Sequence, residues 1–255
     1  MKRLPFFRRP FLARSVLEVG GGHNPFTGVT HAVDKFPSDN SQRAGNLVLA
    51  RNVEFREGDL ESIPFTVTAQ FDFLYASHVF EHVINPDKAV DEINRVARRG
   101  YLETPSPLRE QISCPYPFDE QNDFHTLFCW ADSAQANTFY VVRKSASRLG
   151  EFCDCESGRL AKNLFQLRKE KGQDIEPLLP QNSKTTRIYF RTPLRLILFT
   201  DFVVACLAGH CAYATVSVVR RWSSFPFFLI SNRFSQLRLM ILPTGKAALT
   251  ELPRP

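Results

Sequence analysis

Val16-Leu-Glu-Val-Gly-Gly-Gly22 joins a short apolar run to a glycine triplet, and His31-Ala-Val-Asp34 follows as a second short run that ends in an acid. The first run predicts a buried strand, because it is apolar and is bounded by glycines. Glycine permits positive φ angles and close approach of the backbone to a ligand. In an open parallel sheet, such a turn lies outside the carboxyl ends of the strands, where ligands bind. An acid that closes the next strand can bind a ribose diol.

Further strands and one helix are predicted in the same half of the chain. The strands are Asn52–Phe55, Phe71–Ala76 and Tyr101–Thr104. The helix begins at Asn85 and Pro86, and Arg98-Arg-Gly100 is expected to close it. Alternating strands and helices predict an α/β fold, a Rossmann-like, mostly parallel sheet flanked by helices.

The later part of the chain is less regular. Residues 105–137 are rich in proline and aromatic residues, and strands are predicted at 137–143 and 185–190. Between them, residues 158–171 have a helical pattern and residues 172–184 are expected to form a loop.

The order of the N-terminal motifs resembles that of the class I S-adenosylmethionine-dependent methyltransferases, particularly the type 11 methyltransferase-domain family. The resemblance covers about residues 15–105 and rests on Val16–Pro25, Val33-Asp34, Glu57–Phe65 and Phe71–Val83. It implies the class I methyltransferase fold, S-adenosylmethionine as the cofactor and methyl transfer as the reaction.

The same resemblance implies roles for particular side chains. Gly20 and Gly22 would pass close to the methionine part of the cofactor, and Asp34 would bind its ribose. Asp59 would bind the adenine amino group. The remaining residues expected at the cofactor are Glu18, Leu60 and Ser77.

Three residues are predicted on the acceptor side, namely His78, Glu81 and His125. His125 lies in the insert where a substrate lid is expected, although aromatic packing is an equal alternative. Structural roles are also open for Glu18, at a strand end, and for His78. No catalytic residue is assigned, because a general base is needed only for a protonated hydroxyl or amine acceptor. The acceptor is expected to be a small molecule or a glycan- or lipid-type molecule.

Two features depart from the family's pattern. Only eight residues separate Gly22 from His31, and parallel crossovers ordinarily need about a dozen or more. The first helix is therefore expected to be reduced to a turn around Pro25–Gly28. In addition, Arg98-Arg-Gly100 replaces the usual Pro-Gly-Gly before the fifth strand.

Charge divides the 255-residue chain into three parts. Residues 1–14 carry a net charge of +5, residues 15–190 one of −5, and residues 191–255 one of +6. We therefore expect a basic N-terminal arm, a methyltransferase domain at 15–190 and a divergent, basic and apolar C-terminal appendage at 191–255. The mildly acidic body argues against nucleic acid as a partner. Oligomeric state is not indicated.

The C-terminal part supports an alternative function, that of an inactive methyltransferase-like scaffold at a membrane. Ile197–Val219 is long enough to span a bilayer, but Asp201 and His210 would be costly inside it. Strands that complete the sheet are the other interpretation of this segment. A nicotinamide-dependent oxidoreductase is a third hypothesis, disfavoured because the spaced glycines of its fingerprint are absent and Asp59 would have no role.

The six cysteines have no C-x2-C spacing, and Cys153-x-Cys155 has no histidine nearby. This pattern predicts reduced thiols and no metal site. The expected location is cytoplasmic, with association to a membrane through the C-terminal region.

Overall fold

The computed structural model describes residues 13–41, 43–113, 125–131, 135–145, 152–171, 179 and 181–213. Residues 1–12 of the arm predicted at 1–14 therefore lie outside the described residues. The strands are β1 (Val16–Val19), β2 (His31–Asp34), β3 (Glu54–Glu57), β4 (Phe73–Ser77), β5 (Arg99–Pro105), β6 (Leu127–Ala131), β7 (Thr138–Arg143), β8 (Thr185–Arg191) and β9 (Arg195–Phe199). The helices are α1 (Pro86–Val96), α2 (Pro107–Ser113), α3 (Glu156–Lys171), α4 (Gln181–Lys184) and α5 (Phe202–Leu207), and Phe80–His82 forms a 3-10 turn.

The larger sheet has six strands in the order β3-β2-β1-β4-β5-β8. The first five strands are parallel, and β8 pairs antiparallel with β5. Strands β1 and β4 lie at its centre and are buried at every position, as expected for strands covered on both faces. This architecture confirms the prediction of a mostly parallel, Rossmann-like sheet.

The strand order reverses next to β1, which pairs with β2 on one side and with β4 on the other. In doubly wound sheets, a crevice forms at this switch point, outside the carboxyl ends of the strands. Between Gly22 and His31, the chain makes turns and one bridge residue instead of a helix. The shortened crossover predicted from the spacing is therefore confirmed.

Helix α1 differs in detail from its prediction. Asn85 makes no side-chain capping hydrogen bond; its Nδ2 donates to Glu61 Oε2 at 2.8 Å. The helix ends at Val96, and Arg99 already lies in β5. Gly100 therefore does not close the helix. It is needed in β5, because a Cβ there would lie 2.6 Å from the carbonyl oxygen of Leu74.

A second sheet of three strands, in the order β6-β7-β9, builds a further core. Strand β9 pairs in parallel with β7, and Phe202, Ala205 and Tyr213 are each 1% exposed or less. These three side chains pack into this core, whereas Leu198 and Leu207 are 44% and 84% exposed; the domain boundary expected at residue 191 stays a prediction. Residues 214–255 lie outside the described residues.

The first part of the predicted membrane segment is not a long helix. Ile197 lies in β9, and α5 is only six residues long. Among the described residues, no helix is long and apolar enough to cross a membrane. The segment does supply one strand, β9, but this strand belongs to the second sheet and does not complete the larger one.

The expected loop at 172–184 ends differently from its prediction. Its last four residues form α4, which leads directly into β8. Residues 172–178 and 180 lie outside the described part of the chain.

Candidate functional site

A cleft of about 380 Å³ opens outside the carboxyl ends of β1 and β2. Six of the ten predicted site residues line it, namely Gly20, Gly22, Asp34, Asp59, Leu60 and His78. The other four, Glu18, Ser77, Glu81 and His125, are not among its lining residues. The wall also includes five residues without a role predicted from the sequence, namely Lys35, Phe36, Arg43, Val79 and His82.

The glycine turn after β1 forms one wall of the cleft. Gly20 and Gly22 have φ angles of +65° and +55°, and the amide of Gly20 donates to the Val33 carbonyl at 2.8 Å. A Cβ at Gly20 would lie 2.4 Å from Val79 Cγ2. Glycine is required here both for the backbone angle and for the close approach. The turn therefore provides a narrow backbone cradle of the kind the predicted cofactor needs.

Glu18 supports this turn from behind. Its carboxylate is 1% exposed, and Oε1 accepts a hydrogen bond from the Phe26 amide at 2.8 Å. A Cβ at Gly21 would lie 2.7 Å from the same carboxylate. Glu18 thus fixes the path of the shortened crossover and lies behind the cleft wall.

Asp34 lies at the end of β2, facing the cleft, and is 8% exposed. Its Oδ1 accepts from the Phe36 amide at 3.0 Å, and its Oδ2 lies 3.4 Å from Arg43 Nη1. The Arg43 guanidinium also donates to the Pro37 carbonyl at 2.6 Å and to Asn40 Oδ1 at 2.8 Å. These bonds hold a positive charge between Asp34 and the glycine turn.

Asp59 follows β3 and is also paired with a basic side chain. Its Oδ2 lies 2.6 Å from Lys35 Nζ, and its Oδ1 accepts from the Glu61 amide at 3.1 Å. Leu60, the next residue, is 1% exposed and offers an apolar surface in the cleft. Each of the two predicted cofactor-binding carboxylates therefore has a cation beside it.

His78 lies at the opposite wall, directly after β4, with a left-handed φ of +59°. Its Nδ1 lies 3.3 Å from Glu81 Oε1, and its Nε2 lies 3.7 Å from Glu103 Oε1. Glu81 is 1% exposed, and neither of its oxygens accepts a hydrogen bond from the described residues. Two carboxylates thus flank the imidazole of His78.

Glu103 is held by hydrogen bonds from three neighbours. Tyr101 Oη and Arg187 Nε both donate to Oε2, the latter at 2.6 Å, and Ser77 Oγ donates to Oε1 at 3.4 Å. Burial opposes ionisation of Glu103, but the bonds from Tyr101 and Arg187 outweigh it and keep the pKa of this carboxyl below its usual value. Ser77 therefore contacts the carboxylate network and does not line the cleft.

His125 belongs to a second polar network beneath this wall. Its Nδ1 lies 2.6 Å from Glu110 Oε1, and the buried Lys144 Nζ lies 2.7 Å from Glu110 Oε2. Burial disfavours the charged ring, but the hydrogen bond with Glu110 outweighs it and raises the pKa of His125. The ring of His125 packs edge-on against that of His82, with centroids 4.6 Å apart. His82, which lines the cleft, thus links it to this network.

The arrangement offers binding groups for two kinds of ligand, an adenosine-containing cofactor and a metal ion. The glycine cradle and the carboxylates of Asp34 and Asp59 fit an adenosine-containing cofactor, because ribose hydroxyls and an adenine amino group need acceptors. Glu81, His82 and His125 also place one donor atom each within 4.8 Å of one another, the geometry of a metal-ligand group.

Comparison with known proteins finds a methyltransferase domain family whose model matches residues 23–102. No curated protein matches the chain. Similar solved structures include the YcgJ protein from Bacillus subtilis, at 23% identity and a TM-score of 0.28, over 38% of this chain and 52% of that one. A S-adenosylmethionine-dependent methyltransferase from Thermotoga maritima has 22% identity and a TM-score of 0.28, over 36% and 43% of the two chains. The match thus spans about half the length of these proteins or less.

Proposed function

From the match of residues 23–102 to the methyltransferase domain family, we propose that this protein is a class I S-adenosylmethionine-dependent enzyme that methylates a hydroxyl or amine of an acceptor held beside His78. The family match confirms the assignment made from the motifs, together with S-adenosylmethionine as the cofactor. Neither the nicotinamide-dependent hypothesis nor the inactive scaffold receives support from it.

The proposal rests on one observation: the residues predicted to bind the cofactor and the histidine predicted on the acceptor side line the same cleft. Gly20, Gly22, Asp34 and Asp59 line one side, and His78 lines the other. Bound S-adenosylmethionine supplies an activated methyl group, so the protein's main task is to position a nucleophile and exclude water.

On the cofactor side, each group of the chain has a task that follows from its contacts. The glycine turn admits the methionine part, because no side chain projects from Gly20 or Gly22. Asp34 retains lone pairs for two ribose hydroxyls, beyond its bond from the Phe36 amide. The Arg43 guanidinium, held between Asp34 and the turn, is placed to attract the carboxylate of the methionine part.

On the acceptor side, His78 accepts at Nε2 the proton that a hydroxyl or amine loses as it is methylated, because the 3.7 Å from Nε2 to Glu103 Oε1 is too long for a hydrogen bond. Its ring is 39% exposed, so an acceptor can reach it from solvent. Glu81 Oε1 lies 3.3 Å from the other ring nitrogen, Nδ1, and this contact orients the ring. His78 is therefore proposed as the general base, and Glu81 as a positioning residue.

The size of the cleft bears on the acceptor. Small-molecule sites range over about 300–1,000 Å³, and the volume of about 380 Å³ is near the lower end of that range, which leaves little room beside a bound cofactor. The acceptor then approaches from the open side at His78, which suits a small molecule or an exposed group of a glycan or lipid. We propose these acceptor classes; cytoplasmic location and membrane association stay predictions.

The test is calorimetric titration of the full chain with S-adenosylmethionine, S-adenosylhomocysteine and NAD. The proposal expects binding of the first two and none of the third. Radiolabelled S-adenosylmethionine is then incubated with panels of hydroxyl- and amine-bearing small molecules, glycans and lipids. Binding of NAD alone would overturn the cofactor assignment, whereas cofactor binding without transfer to any panel member would favour the inactive scaffold.

A further inference from the structure

Four cysteines from two distant segments meet beside the second core. Cys153 and Cys155 precede α3, Cys206 lies in α5, and Cys211 follows it. Their sulfur atoms all lie within 4.8 Å of one another. Cys211 Sγ is 3.2 Å from Cys155 Sγ and 3.6 Å from Cys153 Sγ, and none of the four is in a disulfide.

We propose that these four cysteines bind one Zn²⁺ ion as a tetrahedral thiolate site. With Zn–S bonds of about 2.3 Å, the sulfur atoms of such a site lie about 3.8 Å apart. The observed separations of 3.2 and 3.6 Å and the common limit of 4.8 Å bracket this value. Small side-chain adjustments therefore suffice to coordinate the ion.

The backbone around Cys153 and Cys155 is shaped for this cluster. The Gly158 amide donates to Cys155 Sγ at 3.2 Å, and such N–H···S bonds orient a metal-binding sulfur. A Cβ at Gly158 would lie 2.1 Å from the Cys153 carbonyl oxygen and 2.5 Å from its Sγ. Only glycine at residue 158 thus lets the loop fold this tightly around its two sulfurs.

The second pair is brought together by the end of α5. The Gly209 amide donates to the Cys206 carbonyl at 2.9 Å, and the His210 amide donates to the Ala205 carbonyl at 2.8 Å. Gly209 has a φ of +85°, which reverses the chain at low steric cost. Cys211 therefore returns to the side of the helix that carries Cys206.

The chemistry of the donors favours zinc. Thiolates are soft ligands, and a tetrahedral set of four sulfurs selects zinc or an iron centre. With four protein ligands, no coordination position remains open, which is typical of a structural site. None of the four cysteines lines the cleft. The ion would therefore cross-link the start of α3 to the end of α5.

This inference goes against the expectation of no metal from the cysteine spacing. That expectation was based on residues close together in the sequence, whereas Cys155 and Cys211 are 56 residues apart. The spacings C-x-C and C-x4-C each supply half of the ligand set. Only the folded chain joins them.

The test begins with the metal content of the full chain, purified without chelators and measured by elemental mass spectrometry. We expect about one zinc ion per chain, and loss of that zinc in Cys206→Ser and Cys211→Ser. Cys129→Ala is the matched control, because Cys129 is buried in β6 outside the cluster, and it should retain the zinc. Iron in place of zinc, or a disulfide between Cys155 and Cys211 in the purified protein, would overturn the proposal.

A second measurement remains informative if the serine variants do not fold. The full wild-type chain is stripped of metal and titrated with Co²⁺, which gives intense thiolate charge-transfer absorption in a tetrahedral sulfur site, and Zn²⁺ is then added in competition. Gly158→Ala should weaken Zn²⁺ binding by roughly 10- to 100-fold. A folded wild-type chain that binds neither ion would refute the site.

Discussion

Arg43 Nη1 lies 3.4 Å from Asp34 Oδ2, so a guanidinium accompanies the carboxylate that is predicted to hold the ribose. The two side chains are 10% and 11% exposed, and the interaction is therefore only weakly screened by water. Both residues line the cleft, so the charged pair lies at the proposed ribose position. The first prediction tests the role of that carboxylate.

Asp34→Ala should weaken S-adenosylmethionine binding. The variant removes both acceptor oxygens, and losing charge-assisted hydrogen bonds costs about 1.5–3 kcal/mol, or roughly 10- to 150-fold in Kd. Calorimetric titration measures the change. Asp91→Ala, on the exposed side of α1, is the control and should bind normally. An unchanged Kd in folded Asp34→Ala would remove this residue from the site.

Two glycines allow steric obstruction of the cleft to be separated from backbone strain. Gly22 and Gly28 have φ angles of +55° and +94°, and a Cβ at either would have no contact closer than 3.4 Å. Only Gly22 lines the cleft. Alanine at either position should cost about 1–2 kcal/mol of stability, measured by denaturant unfolding. Gly22→Ala alone should also lower cofactor affinity, and equal affinities for the two variants would contradict the assignment of this turn.

The parts of the fold predicted correctly are those with local signals. Strands β1 and β2 are short apolar runs bounded by glycine or proline, and their pattern is legible within a few residues. The position of Gly100 was mispredicted because a glycine after basic residues is typical of a helix end. Glycine is needed at residue 100 because a Cβ would lie too close to the Leu74 carbonyl oxygen of the neighbouring strand.

The parts missed depend on contacts between distant segments. Arg43 and Lys35 carry no motif, and only the folded loop after β2 places them beside Asp34 and Asp59. The basic composition after residue 190 predicts an appendage, whereas the burial of Phe202 and Tyr213 depends on apolar side chains in the same segment. Charge describes the surface, whereas burial follows from the apolar residues.

His78→Gln should separate transfer from cofactor binding. Glutamine preserves polarity and approximate reach but does not act as a base at neutral pH. We expect the Kd for S-adenosylmethionine to be unchanged and the rate of methyl transfer to fall by about 10²–10⁴-fold, measured with the acceptor found in the panels. Glu81→Gln should lower the rate less, because Glu81 acts through the histidine. If His78→Gln retained the full rate, another group would have to take the proton.

The pair formed by His125 and Glu110 predicts how stability varies with pH. The pKa of His125 is raised above its ordinary 6.5, chiefly by Glu110 against the opposing effect of burial. The contribution of protonated His125 to the free energy of unfolding is therefore complete below pH 6.5, and it is lost as the pH rises through the folded-state pKa. The pKa of Glu110 is lowered from 4.5, so its own contribution is lost as the pH falls through the lowered value.

The measurement compares denaturant unfolding of the wild type and His125→Gln from about pH 6 to pH 9. The difference in the free energy of unfolding should be largest at the acidic end of this range and should shrink toward pH 9. A difference that grew with pH would show that His125 is held as the neutral ring.

Helix α5 offers a matched pair of substitutions that tests whether residues 191–213 belong to the core. Phe202 is 1% exposed and packs against Phe128, whereas Leu207 on the same helix is 84% exposed. Phe202→Ala should lower the free energy of unfolding by about 3–5 kcal/mol, through lost burial and the cavity left behind. Leu207→Ala should change it by less than about 0.5 kcal/mol. Denaturant unfolding of both variants measures the difference in the free energy of unfolding.

If Phe202→Ala were as stable as Leu207→Ala, this helix would not be packed against the core, and a chain ending at residue 190 would be expected to fold. The observed burial instead predicts that such a chain aggregates, because it lacks β9 and the side chains of Phe202 and Tyr213.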